Sequence, residues 1–154
     1  GPVVAAGIGP ALAQPTRGEF PAGGVVFSVP EKWSLEGTRQ KLVLVAPSED
    51  AFIELTLLEP ATGNVLRAQL ARMLTAYLED TVLGDSGEDV TVNSMPGIRV
   101  RGTGSSDATS VEFVALALQP TPKQPVMVLA YAAQESFADQ APVFDAFLKS
   151  LKRR

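Results

Sequence analysis

Neither cysteine nor histidine occurs anywhere in the 154 residues. Without cysteine the chain has no disulfide, no thiolate nucleophile and no cysteine to acylate. This does not decide the compartment, because exported bacterial proteins often lack disulfides. Without histidine it lacks the commonest general base near neutral pH and the commonest transition-metal ligand. Any chemistry would fall to carboxylates, lysine or a hard cation. Aromatic residues are scarce at 6%, with a single tryptophan. The apolar run Val3–Ala13 is shorter than the roughly 20 residues that a membrane-spanning helix needs.

What is present is ordinary in proportion and uneven in placement. Hydrophobic residues make up 45% of the chain and charged residues 19%, and a chain of this size can bury a core without staples. Twelve prolines and thirteen glycines imply many turns and exclude an extended helical rod. The formal net charge is −4, yet Lys149, Lys152, Arg153 and Arg154 all lie at the end, after the last acid, Asp145. The rest of the chain is therefore strongly acidic. That argues against nucleic-acid binding, which needs basic surface to displace counterions. The basic end suits the negative pole of a helix and a solvated tail.

Residues 1–23 read as a leader and residues 24–154 as one domain. Gly1-Pro2 looks like a protease-cleavage scar. Val3 to Gln14 is similar to the back half of a secretory signal, ending in the small-residue pattern Ala11-x-Ala13. A second reading has Val3–Leu12 docked as a functional segment in a groove. Pro15–Gly24 reads as a linker. The expectation is a bacterial protein that is periplasmic or secreted.

Strands are expected at Val25–Val29, Trp33–Thr38, Lys41–Ala46 and Ala51–Leu58, the last with clear alternation. Asn64 is a candidate N-cap for a helix through about Thr81, stopped by Gly84. Val90–Met95 and Ile98–Gly102 read as a hairpin about Pro96-Gly97, with a loose loop at Gly104–Asp107. Ser110–Gln119 and Val126–Ala133 are continuous apolar runs, which suits central strands covered on both faces. Ser136 and Asp139 are spaced as a capping box for the last helix, with Pro142 tolerable only near its start. The order gives an α+β fold: an antiparallel sheet of about 6–8 strands with one long central helix and one C-terminal helix packed on it.

Two segments carry a family likeness. One is Phe27-Ser28-Val29-Pro30-Glu31-Lys32-Trp33, an apolar strand closing in valine-proline with tryptophan shortly after. The other is the aromatic-rich closing helix Phe144-Asp145-Ala146-Phe147-Leu148-Lys149-Ser150-Leu151. With the elements between them, they resemble the Mog1/PsbP-like family, which includes PsbP, Mog1 and the DcrB-like and LpqN-like bacterial envelope proteins. The resemblance covers Gly24 to Leu151. It implies a noncatalytic accessory protein that binds a protein partner, and no enzyme. Its matched positions are packing residues, so it carries over no binding residue and no cofactor. The histidines and the long N-terminal extension associated with plant PsbP are missing, which argues against a photosynthetic role.

The residues offer few sites of their own. Leu66, Leu70, Met73, Leu74 and Tyr77 form an apolar stripe at helical spacing. Such a stripe packs on a sheet or lines a groove for an apolar peptide or lipid. Asp85, Glu88 and Asp89 cluster around Gly87 as oxygen donors for a hard cation would, though without a full twelve-residue loop; a solvated turn is the alternative. Gly102-Thr103-Gly104-Ser105-Ser106-Asp107 superficially resembles a phosphate loop, but no helix follows it. Glu54, Glu59 and Glu112 are the carboxylates that a hydrolase could pair. Trp33 is a lone aromatic beside a proline turn, best read as core.

Overall fold

The computed structural model describes residues 16–154, and the signal-like segment Val3–Ala13 lies outside them. Among the described residues the chain forms an α+β fold built on two antiparallel sheets and two α-helices. The first strand, β1 (Thr16–Phe20), lies in the stretch expected as linker and pairs with β2 (Val25–Val29). Phe20 explains why: it alternates inward and is fully buried. Gly24 turns the chain between them at φ 72°, with its N–H donated to the Pro21 carbonyl, a left-handed conformation that glycine adopts without a Cβ clash.

The large sheet contains β3 (Ser34–Gly37), β4 (Lys41–Val45), β5 (Ala51–Leu57), β6 (Glu79–Leu83), β7 (Glu88–Val92), β8 (Met95–Ser106), β9 (Thr109–Thr121) and β10 (Gln124–Ala133). The spatial order is β3-β4-β5-β10-β9-β8-β6, and β7 pairs with another stretch of β8. α1 (Gly63–Tyr77) packs on one face. α2 (Gln134–Ser150) and the small sheet pack on the other. Arg153 and Lys152, expected in a solvated tail, form β11 (Lys152–Arg153), the third strand of the small sheet beside β2.

The continuous apolar runs of β9 and β10 follow from this layering. Val114, Leu116, Leu118, Val126, Val128 and Ala130 point toward α2, while Phe113, Ala115, Ala117, Met127 and Leu129 point toward α1. A strand between two cores has no polar side to show. Leu66, Leu70 and Leu74 close α1 onto its face. Phe144 and Phe147 close α2 onto the other, with the Phe27 ring tilted 52° against Phe147 at 5.2 Å and Trp33 edge-on 6.3 Å from Phe144. Trp33 is half-buried at the margin of this core.

Several boundaries differ from the sequence expectation, each for a local reason. The N-cap position of α1 is Thr62, not Asn64, with no side-chain capping bond, and the helix ends at Tyr77, not Thr81. Asp80 turns left-handed at φ 50°, and the Thr81 hydroxyl donates to the Leu78 carbonyl at 2.9 Å. That satisfies a carbonyl the helix leaves open, and Glu79–Leu83 then pairs with β8. Gly84 ends this strand and is no helix stop.

The hairpin between β7 and β8 turns at Asn93-Ser94, both with positive φ, and not at Pro96-Gly97. Pro96 sits in β8 ahead of the β9 pairing, where its missing N–H interrupts no bond to that strand. Asp107-Ala108 turns β8 into β9 in the same way, so Gly104–Asp107 is strand and turn, not a loose loop. Type I′ turns need two left-handed residues, and asparagine and aspartate tolerate that geometry at the first.

α2 begins at Gln134 after Ala133 with no capping box; the Ser136 hydroxyl donates to Asp50 instead, at 2.6 Å. Pro142 therefore lies well inside the helix.

Candidate functional site

On the face under α1, β5 directs Glu54 toward the helix, and β10 directs Tyr131 beside it. The Tyr131 hydroxyl donates to Glu54 Oε2 at 2.8 Å. Lys41 Nζ lies 3.2 Å from Oε1, near enough for charge pairing but out of line for a hydrogen bond. That oxygen is buried with a cation beside it and no aligned donor. Lys41 also sits 4.8 Å over the Tyr77 ring, a cation–π contact. The Tyr77 hydroxyl is 3.1 Å from Thr56 Oγ1, and Phe52 stacks on Tyr131 at 5.2 Å. Burial foremost, then the Glu54 charge and the hydrogen bond to it, pushes the Tyr131 phenol well above its ordinary range. The cluster is a network tying β4, β5, β10 and α1 together.

It does not extend to the other acids. Glu112 pairs opposite Ala132, on the α2 face, whereas Glu54 pairs opposite Leu129, on the α1 face. Glu59 is exposed, and its backbone N–H is held by Gln69 at 2.7 Å. The three carboxylates do not converge.

The apolar stripe is likewise closed. Leu66, Leu70 and Leu74 have no exposure, and Met73 and Tyr77 are half-buried at its edge. These five residues are the seal of α1 onto the sheet, not the walls of a groove.

The acidic turn is divided by the pleat of its strand. Glu88 and Asp89 are neighbours in β7 and so point to opposite faces. Glu88 pairs with Arg99, while Asp89 meets Arg67 at 3.2 Å. Asp85 accepts the Gly87 N–H at 2.9 Å. Arg67 fills the centre of the turn, donating to the carbonyls of Ser86 and Gly87 at 2.9 and 2.7 Å. Its guanidinium lies where a side chain at position 87 would begin. Asp85, Glu88 and Asp89 thus surround or leave an internal cation and are not gathered about an external one.

A feature that sequence reading missed is a groove between α2 and the β7–β8 edge. One part, about 460 Å³, lies among Val90, Val92, Arg99, Asp145 and Leu148. An adjoining part of about 230 Å³ shares Arg99, Asp145 and Leu148 and continues to Arg101, Phe137 and Ala141. Its floor is Val114, Leu116 and Phe144, all buried. Arg99 and Arg101 are two apart on β8 and face the same way, opposite Leu116 and Val114. The signal available in the sequence was their alternation with Ile98 and Val100. It places two cations on the face that the closing helix covers.

No protein-family model matches this chain, and no curated protein matches it in sequence. Twenty-three solved chains match it in structure. Cyanobacterial PsbP (CyanoP) from Synechocystis aligns over 100% of both chains with a TM-score of 0.70 and 12% identity. LpqN of Mycobacterium tuberculosis, described as involved in cell envelope biogenesis, covers 91% of this chain and 85% of its own at TM-score 0.62 and 14% identity. A variant of Mog1 covers 92% and 96% at TM-score 0.58 and 12% identity. The chain therefore has the Mog1/PsbP-like fold. Among the described residues no helix is long and apolar enough to cross a membrane.

Proposed function

We propose that this chain is a noncatalytic accessory domain, exported to the bacterial cell envelope, that recruits a protein partner. The observation that carries this reading is the α2–β8 groove: an apolar floor with aromatic residues, flanked by arginines and open along its side. Aromatic side chains and arginine are the residues that most often dominate protein–protein contacts. The fold shared with LpqN, described as involved in cell envelope biogenesis, supports an envelope role. The commitment of Glu54 to Tyr131 and Lys41 supports a structural use for the one carboxylate buried among the described residues.

Crosslinking in intact cells followed by mass spectrometry tests the reading. The expected result is one stoichiometric partner crosslinked through Lys149, which lines the groove. Turnover of a substrate that is abolished by Glu54→Gln would contradict it.

A second reading, a carrier or chaperone for an apolar peptide or lipid, is favoured by a different cleft. Between β2 and α2 a space of about 330 Å³ is walled by Val29, Pro30, Pro142, Val143 and Phe147. Lipid copurifying at stoichiometric amounts would favour this reading over the first.

A further inference from the structure

The geometry points to the α2–β8 groove as a docking site for an extended acidic peptide segment that alternates carboxylates with apolar side chains. This rests on the recruitment reading above and adds what the partner must present.

Arg99 and Arg101 stand two residues apart on one face of a strand, about 7 Å in rise. Side chains two apart on an extended peptide have the same repeat, so one such segment lying along β8 sets two carboxylates against two guanidiniums. Arg101 is exposed and makes no ion pair among the described residues. Arg99 is held by Glu88 through Nη2 while its Nε is buried without a partner, so its hydrogen-bonding capacity is only partly used. Guanidinium is the group suited to carboxylates through paired, charge-assisted bonds.

The groove also takes an apolar anchor. Phe137 and Leu148 are half-buried and pack against the core beneath, leaving apolar surface beside the two arginines. The open side decides between peptide and lipid. Small-molecule sites bury about 70–90% of their ligand, and an acyl chain in an open-sided groove stays wet along one flank. A peptide needs only its anchors covered. Asp145 on the rim is paired with Lys149 at 2.9 Å, so its charge opposes an incoming acid only weakly.

The test uses the full chain and a fluorescein-labelled ten-residue peptide alternating glutamate with leucine and phenylalanine, read by anisotropy. Saturable binding is expected, weakening as salt rises. Replacing the peptide's glutamates with glutamine, or introducing Arg101→Glu, should weaken it at least about tenfold, the scale of one lost charge pair. Arg101→Gln should fall between, and Arg72→Glu, exposed on α1, should leave it unchanged. No saturable binding, equal binding of the glutamine peptide, or indifference to Arg101→Glu would overturn the proposal. Binding of oleate that depends on Arg101, with no peptide binding, would assign the groove to lipid and also overturn it. A crosslinked partner that persists in Arg101→Glu would leave recruitment standing and this groove excluded as its site.

Discussion

Under α1 the carboxylate of Glu54 is buried, bonded to Tyr131 and flanked by Lys41; across the same sheet, under α2, Arg99 and Arg101 stand beside an open groove with much of their capacity unused. Both faces bury comparable apolar layers, and the difference lies in where each helix stops covering the sheet. The leucines of α1 seal its face, and the polar groups left inside satisfy one another. α2 leaves the β7–β8 edge uncovered, so charge there faces outward. The closed face pairs its polar groups with one another, whereas the partly open one leaves donors unpaired beside a groove.

The comparison can be broken first at the cores. If both faces are equally structural, Phe144→Ala on the α2 side should cost about 3–5 kcal/mol and Leu70→Ala on the α1 side about 2–5 kcal/mol, measured by urea unfolding. A loss below about 1 kcal/mol at either position would show that its face is not a packed core.

Next comes the polar network. Tyr131→Phe removes the donor to a buried carboxylate and should cost about 1–3 kcal/mol. Adding Glu54→Leu should recover part of that loss, because the orphaned acceptor is gone. Full additivity in the double-mutant cycle would mean the two residues are not coupled.

The same network predicts an alkaline limit. The folded Tyr131 phenol titrates above its ordinary 10.0. Its contribution is fully present below about pH 10. It is lost as pH rises toward the folded value, because the unfolded chain releases the proton first. Melting temperature should therefore drop faster above pH 10 in the parent than in Tyr131→Phe. On the acid side Asp50 is lowered, chiefly by the Ser136 hydrogen bond and then by Ser48. Its contribution is present above the ordinary carboxylate range and lost as pH falls through the folded value. Because Asp50 is largely solvated, Ser136→Ala should flatten that arm only slightly.

The smallest expected effect is the most telling. Arg101→Gln should change stability by no more than about 0.5 kcal/mol, as exposed substitutions do, while weakening partner binding. A large loss of stability would place Arg101 among the structural groups and erase the contrast between the faces.

How much of this could be read from the chain depended on the range of the interaction. The alternating faces of β5, the twin apolar runs of β9 and β10, and the stripe of α1 are local periodicities, and they were legible. The likeness in Phe27–Trp33 and Phe144–Leu151 was legible because those residues meet: Phe27 packs on Phe147 and Trp33 on Phe144. Turn chemistry was misread where glycine and proline drew attention away from Asn93-Ser94 and Asp107-Ala108. β1 was missed because its burial rests on Phe20 and on pairing with β2, which a short Gly- and Pro-flanked run does not announce. The Glu54–Tyr131 bond joins residues far apart in sequence, and no periodicity carries it. The stripe on α1 was visible, but whether it seals or gapes depends on the sheet beneath. The groove lies instead under the other helix, where nothing local distinguishes two arginines on one strand face from solvated charge.

The account's central claim is that partner contact belongs to the α2–β8 groove and not to the α1 face. Backbone amide NMR of the full chain titrated with the acidic-apolar peptide tests this most directly. The account predicts shifts concentrated at Val92, Arg99, Arg101, Phe137 and Leu148, with Lys41, Thr56 and Tyr77 unmoved. Shifts centred on Lys41, Thr56 and Tyr77, with the groove silent, would contradict it.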